Sequence, residues 1–253
     1  MRVLITAGGT FTPIDHVRGI DNIFNGRTGY EIAKHLVVNG EDVTLLIRKD
    51  SIFCSLFDKF IRDYELMSDK KLNKNEDGTY SSTNNRIIYF KTYDDLYRIM
   101  ETEITTGNYD TVVHSAAVSD YKIDSVYFDD PLSQELDLIK LNTDCKISSS
   151  HHELYIKLTK TEKIVDRIRH PWNFKGILIK FKLGVGLTDN ELIEIARISK
   201  KQSGANIMVA NCLEWSRNRA IVIATDCGTL SVQRDMLPPF LYGEINKINP
   251  EDI

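Results

Sequence analysis

The sequence predicts an α/β protein: a Rossmann-like mixed sheet flanked by helices, with an antiparallel C-terminal hairpin and a lid insertion. Three observations predict it. First, two apolar strand-type runs end in small residues, Val3-Leu4-Ile5-Thr6-Ala7-Gly8-Gly9-Thr10 and the run from Thr111 that closes in His114-Ser115-Ala116-Ala117-Val118-Ser119-Asp120-Tyr121. Small residues at strand ends let a ligand approach the backbone closely, and two such ends in one parallel sheet open onto one crevice. Second, strand-type and helix-type patterns alternate along the chain, as they do where helices wind a parallel sheet. Third, apolar runs at 220–225 and 229–233 flank Asp226-Cys227-Gly228, where glycine supplies the positive φ of a tight hairpin turn.

In chain order, residues 26–39 carry Tyr30, Ile32, Ala33, Leu36 and Val37 at helical spacing, and Asn39-Gly40 ends that helix in a left-handed cap. The β-branched and leucine run at 43–47 predicts a second parallel strand, reached by a right-handed crossover. Residues 49–85 are mixed in character, and 69–85 are polar enough to read as a mobile surface loop. A strand follows at 86–90. Thr92 with Asp95 predicts a capping box for a helix to about Thr102, before the central strand at 111–117. Residues 122–150 are acidic and then polar, broken by Pro131, and read as a lid or insertion with one short helix. The sheet is expected to restart at 154–158. A helix at 161–169, a strand at 176–183, a helix opened by Thr188 and Glu191, a strand at 207–210 and a terminal helix holding Phe240, Leu241 and Ile245 complete one domain spanning 1–253.

A net charge of −4 over 253 residues argues against broad nucleic-acid binding and leaves room for a local basic pocket. Cys54, Cys145, Cys212 and Cys227 stand far apart with no zinc spacing and read as reduced thiols. No signal-peptide pattern and no membrane-length apolar run are present, so a soluble cytoplasmic protein with no membrane partner is expected. His151-His152 reads as a surface pair, with no metal site expected. Tyr30-x-x-x-Lys34 spells a short-chain dehydrogenase dyad, but in the wrong helix.

Gly8-Gly9-Thr10 can offer amides and a hydroxyl to a phosphate, without the spaced glycines of the dinucleotide fingerprint or the lysine of a Walker loop; a tight structural turn explains it equally well. Asp15-x-x-Arg18-x-x-x-Asn22 and Gly26-x-x-Gly29 lie between the first strand and first helix, where loops of α/β sheets meet substrate. Arginine suits a carboxylate or phosphate because its fork donates two parallel hydrogen bonds, and asparagine polarises an acyl group without adding charge. Asp120 could accept from a ribose or approach magnesium through water; capping a turn is the plainer alternative. Pattern alone assigns Lys146 only a solvated charge.

These motifs, with Leu158-x-Lys160-Thr161, Phe181-Lys182-Leu183 and Val209-Ala210-Asn211, make the chain resemble the phosphopantothenate-cysteine ligases over nearly its whole length, in the stand-alone bacterial form without a decarboxylase domain. The resemblance implies joining 4'-phosphopantothenate to L-cysteine through an acyl-nucleotide in coenzyme A biosynthesis, with CTP rather than ATP as co-substrate, Mg2+, and a homodimer. It assigns Asn22 and Lys146 to catalysis, and Arg18, Asn22, Gly26, Ala116 and Ala117 to the acid substrate. It assigns Gly8, Gly9, Thr10, Ser115, Asp120, Lys146, Phe181 and Lys200 to the nucleotide. The chain departs from the family pattern at Asp21, Phe24 and Asn25, where serines are usual, and at Cys212, where aspartate is usual. Two rivals remain at this level, an NAD(P)-dependent reductase of the Rossmann class and a non-catalytic nucleotide-binding homologue.

Overall fold

The computed structural model describes residues 1–67, 72–74, 80–82, 85–129, 138–224 and 228–249. In chain order its elements are β1 (Arg2–Ala7), β2 (Thr12–Pro13), β3 (Gly19–Ile20), α1 (Arg27–Val38), β4 (Asp42–Arg48), α2 (Ile52–Met67), β5 (Leu72–Lys74), β6 (Tyr80–Ser82), β7 (Arg86–Phe90), α3 (Tyr93–Thr106) and β8 (Thr111–His114). There follow β9 (Tyr121–Asp129), β10 (Leu138–Lys140), β11 (Tyr155–Lys160), α4 (Ile164–Arg169), β12 (Ile177–Gly184), α5 (Asp189–Ser203), β13 (Ile207–Cys212), β14 (Arg219–Ile223), β15 (Thr229–Gln233) and α6 (Leu237–Ile245).

The main sheet runs β15-β14-β13-β12-β8-β1-β4-β7-β6-β5. Its six central strands, β13 to β7 in that order, are parallel, and antiparallel pairs extend both edges. Because β1 leads outward to β4 and β7 while β8 leads the other way to β12 and β13, the winding reverses between β1 and β8. Beyond a bridge between Gly9 and Ala117 the segments leaving those two strands part, and a crevice opens at the strands' carboxyl ends.

Alternation along each strand feeds two cores. Val3, Ile5, Val113, Ile179 and Val209 face α1, α2 and α6, meeting Ile32, Leu36, Phe57 and Leu241. Leu4, Val112 and Leu178 face α3 and α4, meeting Leu96, Met100, Ile164 and Ile168. Leu192 and Ala196 of α5 cover Met208, Ala210 and Ile221. Full burial of a side chain such as Phe57 contributes roughly 1.5–3 kcal/mol, enough to dock a helix of indifferent local propensity.

Both expected capping boxes are present, Thr92 with Asp95 opening α3 and Thr188 with Glu191 opening α5. Gly40 takes φ +83° just beyond α1 as its left-handed cap. The β14–β15 hairpin forms in register, although its turn at 225–227 lies outside the described residues.

Residues 52–67 of the mixed stretch, for which the sequence predicts no element, form α2. Within the expected loop at 69–85, β5 and β6 pair with each other, the remainder lying outside the described residues apart from Asn85. The run at 154–158 does not rejoin the main sheet: β11 pairs with β9, and β10 with β9, in a separate three-stranded antiparallel sheet. Strands β9 and β10 of that sheet fall in the 122–150 stretch expected to be a lid with one short helix. Its described residues hold no helix, and residues 130–137 lie outside them.

Candidate functional site

The floor of the crevice is the run after β1. Gly8, Gly9 and Thr10 are all buried. The Gly8 carbonyl accepts the Ala117 N–H at 2.9 Å, and the Thr10 N–H donates to the Ala117 carbonyl at 3.2 Å, so the two loops are stitched together past the ends of their strands. The Thr10 hydroxyl accepts the Ser119 N–H at 2.9 Å. Accepting that amide leaves the hydroxyl proton of Thr10 free to donate. Ser115 differs, its hydroxyl donating to the Thr6 carbonyl at 2.6 Å.

Gly9 and Gly26 owe their identity to close approach. A Cβ on Gly9 would stand 2.6 Å from the Cβ of Asn22, and one on Gly26, whose φ is +92°, would stand 2.8 Å from the Gly8 nitrogen. Asn22 is thus pressed onto the glycine floor. Its Nδ2 donates to the Ala117 carbonyl at 3.4 Å, and its Oδ1 accepts the Phe24 N–H at 3.3 Å. Asn22, Gly26, Ala116 and Ala117 therefore share one wall. Asp120, exposed at the rim, is anchored through its backbone: its carbonyl accepts the Thr161 N–H at 2.9 Å, while the Thr161 hydroxyl holds the Ser119 carbonyl at 2.7 Å.

Arg18 and Lys146 arrive by a different device. The carboxylate of Asp15, its side chain wholly buried, accepts from the Arg18 Nε at 3.0 Å, from the Val17 and Arg18 amides at 2.9 and 2.8 Å, and from the Ile147 amide at 3.0 Å. Arg18 Nη2 also donates to the Ile147 carbonyl at 2.7 Å. The Arg18 guanidinium above all, seconded by these amides against the effect of burial, holds the Asp15 carboxyl well below the usual carboxylate range. The neighbouring Lys146 is exposed. The sequence places Asp15 in one motif with Arg18 and Asn22 but gives it no role of its own; its place three residues before an arginine is the available signal.

Beneath the crevice lies a buried polar row. Thr6 pairs with His114 across β1 and β8, and His114 with Lys180 across β8 and β12. The Thr6 hydroxyl lies 3.0 Å from His114 Nδ1 and accepts the Ala116 N–H at 3.1 Å. Burial, seconded by the charge of Lys180, pushes the His114 imidazole down to about 4, so it is neutral at pH 7. The neutral ring can then accept the Thr6 hydroxyl.

Phe181 sits half-buried on β12, paired with Val209 and on the same side of the sheet as Asn211. Lys200 is not brought to this place. It lines a cleft of about 450 Å³ with Arg197, Lys201, Gly204, Ala205 and Ile223. That cleft adjoins the amino end of β13, whereas the crevice opens at carboxyl ends. The physical reason is helix direction: α5 descends antiparallel to the strands, so its last turn lies far from the loops after β1 and β8.

Fold and crevice together define a Rossmann-like α/β protein whose switch-point site is floored by glycines and walled by an asparagine and an alanine pair. The family model of the DNA/pantothenate metabolism flavoprotein C-terminal domain matches residues 1–56. The chain is 29% identical over 230 residues, 89% of its length, to the coenzyme A biosynthesis bifunctional protein CoaBC of Thermococcus kodakarensis, of which it covers 45%. It is 25% identical to phosphopantothenate-cysteine ligase 1 of Oryza sativa, over 87% of this chain and 70% of that one. Among solved structures, the DNA/pantothenate metabolism flavoprotein from Streptococcus pneumoniae superposes with a TM-score of 0.74 at 28% identity, covering 98% of this chain and 99% of that one. The fold is shared also by a Cab2 mutant in complex with phosphopantothenate-cysteine, at a TM-score of 0.70 and 18% identity, covering 97% of this chain and 86% of that one. The chain is a homologue of CoaBC and of the phosphopantothenate-cysteine ligases, and spans a little under half the length of the CoaBC relative.

Proposed function

We propose that this protein is a phosphopantothenate-cysteine ligase of coenzyme A biosynthesis, joining 4'-phosphopantothenate to L-cysteine through an acyl-cytidylate. A carboxylate is a poor acyl donor because its leaving group would be oxide, and conversion to a mixed anhydride divides one hard step into two easier ones. The substrate carboxylate oxygen attacks the α-phosphorus of CTP, and the bond to pyrophosphate breaks. The cysteine amine then attacks the acyl carbon, CMP leaves, and the amine loses a proton.

The observation that carries this reading is Asn22 packed on the glycine floor with its amide at the Ala117 carbonyl. A neutral donor fixed beside two small residues suits the acyl carbonyl, where charge develops in the second step. Arg18 is the cation for the acid substrate, Asp120 the group for the ribose, Phe181 the aromatic beside the base, and Lys146 the mobile charge for the departing pyrophosphate. Homology to CoaBC and to the plant ligase supports the class.

Among the described residues no three His, Cys, Asp or Glu side chains gather to hold a metal. Magnesium commonly binds through one or two carboxylates together with substrate phosphates. That pattern fits Asp120 at the rim, and the ion would neutralise triphosphate charge. The reading includes a cytoplasmic homodimer, and among the described residues no helix is long and apolar enough to cross a membrane.

Pyrophosphate release is the test, measured with CTP, ATP, UTP and GTP in turn. The expected result is release that requires both phosphopantothenate and a nucleotide, greatest with CTP. Binding without release would leave only a nucleotide-binding homologue.

A further inference from the structure

Two arginines at the α1 side of the crevice have no acidic partner among the described residues. Arg234 opens the single 3-10 turn after β15 and reaches back across the sequence, Nη2 donating to the Thr28 hydroxyl and Nη1 to Asn211 Oδ1 at 2.9 Å. Both acceptors are neutral. Among the described residues, neither Arg234 nor Arg27 comes within 4.0 Å of a carboxylate. Burial, and then the like charge of Arg27, push the Arg234 guanidinium below its ordinary value. It stays protonated all the same, as arginine does in proteins.

Arg27 directly precedes Thr28, to which Arg234 donates, so two like charges meet at the start of α1, an arrangement that an anion joining them would relieve. The surroundings add to the same field. Thr28 lies in the first turn of α1, which carries no acidic residue and no side-chain cap, so the positive end of that helix is uncompensated. Asn211 places the Arg234 fork on the side of the sheet that Phe181 occupies, at the carboxyl end of β13. A planar fork suits the tetrahedral oxygens of a phosphate better than a lysine would.

We propose that Arg27 and Arg234 bind a phosphate or phosphoanhydride group at this end of the crevice, with Asn211 and Thr28 orienting the Arg234 fork. The ligase reading supplies two sources for that group, the polyphosphate of the nucleotide and the phosphate of phosphopantothenate, and the proposal rests on that reading only for the choice between them.

Titration calorimetry with inorganic tripolyphosphate tests the anion site directly, on the full chain and on Arg27→Gln, Arg234→Gln and Arg234→Lys. Wild type should bind in a salt-sensitive manner, Arg27→Gln about tenfold more weakly, Arg234→Gln more weakly still, and Arg234→Lys in between. Arg27 is exposed, so its variant keeps the test valid if Arg234→Gln fails to fold. A rise in KM for the nucleotide alone assigns the site to the polyphosphate, and a rise for phosphopantothenate alone assigns it to that substrate. No tripolyphosphate binding by wild type, or unchanged affinity in folded Arg27→Gln, overturns the proposal even if the protein is an active ligase. Arginine-dependent binding in a protein that makes no ligase product would keep the anion site and remove the ligase reading.

Discussion

The side-chain amide of Asn22 lies 3.4 Å from the Ala117 carbonyl, joining the loop before α1 to the turn after β8 across 95 residues of sequence. The same turn runs on through Ser119, held by Thr10, to Asp120, held by Thr161. Asn22 and Asp120 are therefore tied to one and the same turn after β8. Asn22→Ala should lower the rate of product formation roughly 100-fold, the effect of removing one donor at a developing oxyanion. Acyl-cytidylate should accumulate, and thermal denaturation should show a folded variant. Chromatography of quenched reactions checks this; native-rate product without accumulation contradicts it.

Gly26 and Gly40 separate backbone strain from crowding. Both have positive φ, but a Cβ on Gly40 meets nothing within 4 Å while one on Gly26 strikes the Gly8 nitrogen. Gly40→Ala should cost about 1–2 kcal/mol in chemical denaturation, the left-handed penalty alone. Gly26→Ala should cost more and also weaken substrate binding, because the glycine floor must move. Equal losses would show that the crowding is relieved without consequence.

Asp15 sets an acid-side dependence. Its folded carboxyl titrates below its unfolded value of about 3.9, so it stabilises the fold above that pH and this contribution is lost as pH falls through the folded value. Asp15→Asn should be less stable than wild type at pH 7, with the gap closing below about pH 4. Its KM for phosphopantothenate should rise, since Arg18 loses its buttress. Denaturation curves across pH check the sign, and a gap independent of pH would contradict it.

His114 acts in a different window. With its imidazole lowered from 6.5 to about 4, the unfolded chain takes up a proton first as pH falls, and stability drops between those values by about 3 kcal/mol. His114→Gln should flatten that slope. A slope as steep as wild type between pH 6.5 and 4 would mean that other groups cause it.

Lys146 is exposed, so Lys146→Ala should leave the melting temperature unchanged. The KM for CTP should rise about tenfold, the loss of one charge-assisted contact. An unchanged KM would remove it from the nucleotide site.

The two strand ends that build the crevice were legible because apolar runs closing in small residues are local signals. Both capping boxes and the C-terminal hairpin were legible for the same reason. The α2 helix escaped because polar and charged residues surround its apolar stripe, although Phe53, Phe57, Phe60 and Ile61 recur at helical spacing and pack into the α1-side core. The β9 strand escaped because its alternation, apolar at Tyr121 and Ile123 and polar at Lys122 and Asp124, changes phase at Ser125-Val126, where the pairing with β11 shifts register between Lys157 and Leu158; Lys157 pairs with Asp124 across the small sheet. Long-range partnerships left no local trace at all: the hook of Asp15 on Ile147 and the reach of Arg234 to Thr28 join segments that only the fold brings together. Lys200 enters as a site residue only through the family resemblance, while the end of the sheet that its helix reaches depends on topology, which no local pattern carries.

Activation of a carboxylate as an acyl-cytidylate is the central claim, and a single-turnover experiment without cysteine tests it most directly. Protein mixed with phosphopantothenate and CTP should release pyrophosphate in an amount matching the active sites, and adding cysteine should then release CMP and phosphopantothenoylcysteine. Pyrophosphate absent until cysteine is present, or absent altogether while NAD(P)H is oxidised, would contradict the account.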